Sequence, residues 1–187
     1  MIIPQKVDLR FGVIATMILL AALSRLIPHP HNFSPIGGMA LFGAAYFTGR
    51  QWAFIVPLVS MWISDLALNN ILHGEYFKHF VWFYSGSLFT YSAFALIVLL
   101  GMFALKKVHI YNLVLSALGA SVIFFIVSNF GVWLSGIMYP KDLSGLAACY
   151  VAGIPFFQNT VFGDLFYSTV LFGTFELSVR RMPKIAC

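Results

Sequence analysis

The side chains able to do chemistry are few, and they fall on one side of the hydrophobic pattern. Arg25, Asp65, Asn69, Asn129, Gln158, Asn159 and Asp164 interrupt runs that are otherwise apolar. A charge inside a bilayer costs about 2.5–3.5 kcal/mol on insertion scales, so each one invites a functional explanation. A guanidinium among amides and carboxylates can hold the polar head of a small molecule. Arg25 would serve an anionic group or pair with an acid, while Asn32, Asn129 and Asn159 would hydrogen-bond the head. The same residues also suit packing, with Arg25 paired to Asp65 or Asp164 and the amides joining helices at about 0.6 kcal/mol per bond. Their confinement to one half of the bilayer favours a site made of Arg25, Asn32, Asp65, Asn129, Asn159 and Asp164.

Metal binding is a second possible chemistry. His29 and His31, with His73, Glu75, His79 and Cys149, supply N, O and S donors suited to Zn, Ni or Co, although the spacing matches no recognised signature. His29, His31 and Cys149 are the candidate ligands. Cys187 falls on the opposite side of the membrane from Cys149, so the two cannot pair within one chain. Catalysis has no comparable support: there is no GxSxG, HExxH, CxxC or phosphate-cradling glycine loop. Asp65 and Asp164 could form a proton-sharing dyad, but Arg25 as partner to one of them is the simpler arrangement. The expectation is a binding protein, not an enzyme, with no cofactor specified.

The elements that must position these groups follow from composition. Of 187 residues, 60% are hydrophobic and 9% charged, and mean hydropathy is +0.90. Soluble domains carry about 25% charged residues, so a soluble enzyme, a disordered chain and a disulfide-stapled module are excluded. The net charge of +5 matters through its placement and gives no reason to expect nucleic acid as a partner. No barrel-like alternation is present. The pattern predicts an all-α integral membrane protein, a single transmembrane domain with spans at about 11–27, 36–49, 52–70, 80–105, 110–138 and 155–178. The second span is short for a full bilayer. With the N-terminus in the cytoplasm, Lys6, Arg10, Arg50, Lys106, Lys107, Arg180, Arg181 and Lys184 fall inside, and only Lys78 and Lys141 outside. Both termini are therefore expected in the cytoplasm. Lys6 and Arg10 before an apolar run also resemble a signal peptide, with Ala22-Leu23-Ser24 a passable cleavage site, but removing that span would invert the charge rule at one end. The small-residue faces Ala40-x3-Ala44-x3-Thr48, Ser116-x3-Ala120 and Ala117-x3-Ser121 allow close helix packing, within the bundle or against another subunit.

At RLIPHPHNFSPIGGMALFGAAYF (25–47), ISDL (63–66), SNFGVWLSG (128–136) and IPFFQNTVFGDLFYSTVLFG (154–173), the chain resembles an uncharacterised bacterial family of small membrane proteins. That family is related in fold to the substrate-binding S components of energy-coupling-factor vitamin transporters. The resemblance implies a six-helix bundle in the inner membrane, with a vitamin-like solute bound near the outer face under a lid of outer loops. It further implies release by toppling of the bundle. S components that dock on a shared transmembrane and ATPase module use an Ala-x3-Ala face on the first span, where this chain has Gly12-x3-Thr16. Solitary members that carry cobalamin use a cysteine as cobalt ligand, for which Cys149 or a loop histidine would stand here. The leading expectation is an S-component-like binding protein for uptake of a small solute. The alternatives are a cobalamin or transition-metal carrier, and a non-transporting subunit of a larger membrane complex.

Overall fold

The computed structural model describes residues 9–77 and 79–182. Lys6, Lys78, Lys184 and Cys187, used above for topology and cysteine pairing, lie outside the described residues. The described residues are mostly helical, with no strand among them. α1 (Leu9–Leu23) runs into a 3-10 turn (Ser24–Leu26), and α2 spans Ile36–Tyr46. α3 (Arg50–Ala67) ends in a π turn (Leu68–Leu72). α4 (Ser87–Ala104), α5 (Ile110–Ser135) and α6 (Leu143–Arg181) complete the chain. Five of these helices are long and apolar enough to cross a membrane, and α2 is a shorter apolar helix. The protein is a helical bundle of the multi-pass membrane type.

The short helix is the hub. α2 packs against all five of the others, and these form a closed ring around it in the order α1, α3, α4, α5, α6. Nine of its eleven residues are buried, so it needs no polar face. A helix that is apolar all round is stable only when surrounded. Close packing depends on small residues: a Cβ on Gly38 would press into the α6 backbone at Ser168, one on Gly43 would meet Pro57 of α3, and one on Gly101 of α4 would meet Ala44. Ala40, Ala44, Ala117, Ala120 and Ser121 thus pack inside this bundle.

Consecutive helices alternate in direction. Arg10, Arg50, Lys106, Lys107, Arg180 and Arg181 therefore collect at one end, where Arg10 donates to the Tyr46 carbonyl at 3.4 Å and the Tyr46 hydroxyl donates to Glu176 at 2.6 Å. The opposite end holds the C-termini of α1, α3 and α5 and the start of α6.

Two helix boundaries differ from the hydropathy pattern. α4 starts at Ser87, not near 80, because Gly86 adopts a left-handed φ of 90° and breaks the chain direction. The apolar segment before it is instead held non-helical by Asn70, whose amide donates to the Val81 carbonyl at 3.0 Å and accepts from the Val81 amide at 2.7 Å. α6 starts at Leu143, not 155. Asp142 caps it by accepting from the Gly145 amide at 2.7 Å, and Pro155 lies inside the helix. At 1.5 Å per residue the 39-residue helix is roughly 58 Å long, about twice a bilayer's hydrocarbon thickness. Its first turns therefore project as a wall at the end opposite the cationic cluster, where a loop was expected.

Candidate functional site

A cavity of about 1020 Å³ opens at that end of the bundle. Small-molecule sites span about 300–1,000 Å³, so this is a large one. Its walls come from the α1–α2 connection, the C-terminal turns of α3 and α5, and the first part of α6. Of the residues singled out by type, Arg25, His29, His31, Asn32, Asn129 and Cys149 all line it, with Tyr84 and Tyr139. Asp65, Asn159 and Asp164 do not; each stands behind the wall and holds part of it.

Asp65 fixes the arginine. Arg25 Nη1 lies 2.6 Å from Asp65 Oδ1 and also donates to Ser64 Oγ at 2.7 Å. The second carboxylate oxygen accepts from the Tyr91 hydroxyl at 2.8 Å. Asp65 is thus satisfied on both oxygens and buried, while Arg25 turns toward the cavity. Asp65 lies two residues before the end of α3, and that placement lets a residue of α3 reach the 3-10 turn that follows α1.

Asn159 fixes the loop 28–35. Its amide donates to the His31 carbonyl at 2.9 Å. Phe33 packs on Phe166 and Tyr167 at ring separations of 5.7 and 5.9 Å. Gly163 lets the Ser34 backbone lie directly on α6. Asn32 takes a left-handed φ of 64°, a conformation Asn tolerates better than most residues. These ties place the imidazoles of His29 and His31 at the mouth.

Asp164 belongs to the bundle interior. It is 2% exposed, accepting from the Gly37 amide at 3.0 Å and from the Ser121 hydroxyl at 2.7 Å. Arg25 therefore pairs with Asp65 alone of the two aspartates, which share no partner. Asn129 donates to the Phe125 carbonyl at 2.8 Å, and Cys149 donates its thiol to the Asn129 carbonyl at 3.3 Å. His29 Nδ1 is engaged by the Ile27 carbonyl at 2.7 Å. Among the described residues no three His, Cys, Asp or Glu side chains converge on a point where a metal could sit.

The partners of the two aspartates, Ser64, Tyr91, Ser121 and Gly37, do not stand out in the sequence pattern. Neither do Thr90 and Ser128 on the cavity wall, and it is Asn70, next to Asn69, that makes the clamp. Hydroxyls and backbone amides carry no hydropathy signal, so only adjacency to Asp65, Asn129 and Asn69 could have pointed to Ser64, Ser128 and Asn70. Burial pushes the Tyr84 phenol above its ordinary pKa, opposed by a hydrogen bond with Thr90, so its hydroxyl stays a neutral donor at the cavity edge.

A family model matches residues 5–185, which include every wall of this cavity. The chain belongs to the DUF6580 family. That family is described as one of unknown function. No curated protein matches the chain, and no solved structure matches it.

Proposed function

We propose that this protein is a multi-pass inner-membrane protein that binds a small vitamin-like solute from the outside and serves its uptake, in the manner of an S component. The observation that carries the reading is the cavity. It is apolar over much of its wall, with a few convergent polar groups, which is the usual make-up of a small-molecule site. Its position supports capture from outside. Both termini are cytoplasmic on this reading, because the end carrying Arg10, Arg50, Lys106, Lys107, Arg180 and Arg181 takes the cytoplasmic side by the positive-inside rule. The cavity then faces out, with loop 28–35 and residues 73–77 and 79–86 as its lid. The protein acts by binding and handing over, not by catalysis, and an energising membrane partner supplies the work. Gly12 has open space around its Cα, leaving that face of α1 available to such a partner.

Native mass spectrometry of the detergent-purified protein, with metal analysis of the same sample, tests this. A stoichiometric small molecule, or a melting temperature that rises with added solute, is the expected result. A ligand at 100 times its dissociation constant stabilises the folded state by about 2.7 kcal/mol. A protein that carries and binds nothing, and co-purifies with other membrane subunits, would sink the proposal in favour of a structural subunit.

A further inference from the structure

Among the described residues Arg25 is the one charged side chain on the cavity wall; His29, His31 and His73 also line it, and no aspartate or glutamate does. The acids of this end lie elsewhere. Asp65 lies behind Arg25 with its side chain 5% exposed, Asp142 is turned to Gly145 and Ser144 at 2.7 Å each, and Glu75 sits on an exposed turn outside the cavity.

Arg25 is held along one edge only. Nη1 meets both protein acceptors, Ser64 and Asp65. Nη2 and Nε have no acceptor among the described residues, and neither is a buried unsatisfied atom, so both reach accessible space. An arginine fixed from behind, with a second donor edge unspent, suits two-point recognition of a planar or tetrahedral anion. A neutral solute would leave those donors to water, and a cation would meet the guanidinium with no carboxylate on the wall to receive it. Phe124, Val132 and Phe156 give the same cavity apolar wall.

We infer that the ligand of this cavity is an amphipathic anion, its carboxylate or phosphate held by Arg25 and its apolar body against Phe124 and Phe156. The inference rests on the solute-binding reading and adds the charge of the solute. Recognition of this kind would serve a free organic acid or an anionic lipid headgroup, and the two sources are separable.

The test uses the full chain in detergent, with matched probes of equal shape: indole-3-acetate against indole-3-acetamide and tryptamine, and phenyl phosphate against phenol. The melting temperature is followed at fixed ionic strength. The variant is the double substitution Arg25→Gln/Asp65→Asn, which removes the guanidinium without stranding Asp65. The expected result is a saturable rise with an anionic probe, little with its neutral or cationic partner, and a loss of about tenfold or more in affinity in the double variant, equivalent to about 1.4 kcal/mol. Equal or better binding of the amide or the amine overturns the anion inference and leaves solute binding intact. Silence from every probe, with native mass spectrometry showing a neutral or cationic molecule retained, does the same. Silence together with an empty protein removes both readings. An anionic phospholipid retained by the wild type and lost from the double variant upholds the anion chemistry and assigns it to lipid, against a soluble solute.

Discussion

The backbone N–H of Gly37 donates to Asp164 Oδ1 at 3.0 Å, joining α2 to α6 across 127 positions of sequence. This contact exists because position 37 has no side chain: a Cβ there would overlap the Asp164 carboxylate. Ser121 adds the third helix through its 2.7 Å bond to Oδ2. One buried carboxyl group therefore ties the hub helix to two adjacent members of the ring.

Gly37→Ala is expected to destabilise the protein by about 1–3 kcal/mol through overpacking, read as a lower melting temperature. Ser121→Ala should cost about 1–3 kcal/mol for the lost hydrogen bond at a buried group. The two should combine non-additively, since they share Asp164 as partner. Strict additivity in a double-mutant cycle would show that the three helices are not coupled through this carboxyl group.

Removing one member of the Arg25–Asp65 pair leaves the other, largely buried charge without its partner. Asp65→Asn alone is expected to cost about 3–5 kcal/mol, lowering the melting temperature more than the double substitution Arg25→Gln/Asp65→Asn does. A double variant less stable than Asp65→Asn would mean that the pair is not the chief partner of either residue.

Asn70 holds the 79–86 segment through two bonds to Val81 and anchors itself on the Leu66 carbonyl at 3.0 Å. Asn70→Ala should release that segment while sparing the ring helices. Amide hydrogen exchange should rise at Val81 and its neighbours, with no change in α4 or α5. Unchanged exchange at Val81 would count against the clamp.

Asp142 has a pKa below the ordinary aspartate value because the Gly145 amide, and then the Ser144 hydroxyl, donate to its carboxylate. The sign follows from linkage: a lowered folded-state value contributes stability above the unfolded value, roughly 4, and that contribution is lost as pH falls through the folded one. Hydrogen exchange in residues 143–147 should therefore quicken between pH 5 and pH 2.5 beyond the intrinsic pH effect. Asp142→Asn should remove this pH dependence, and a variant that keeps it would place its origin elsewhere.

The class of molecule is legible in the residues alone, because hydropathy and charge are summed properties of local segments. Long apolar runs had to become helices in order to satisfy their backbone groups. The polar residues Arg25, Asp65, Asn129 and Asn159 were visible as costly interruptions, and their shared depth pointed to one end of the bundle. Which of them form the wall and which stand behind it follows from how the helices pack. Arg25 pairs with Asp65 and not Asp164 because the 3-10 turn after α1 meets the end of α3, while the Asp164 carboxyl group is enclosed by Gly37 of α2 and Ser121 of α5. That choice depends on α2 being the hub, and hydropathy cannot distinguish a central short helix from a peripheral one. The start of α6 was hidden for a related reason. Twelve residues of moderate polarity before Pro155 read as loop, yet the Asp142 cap and packing of Gly145, Cys149 and Gly153 fix them as helix, and tertiary contact outweighs local propensity there.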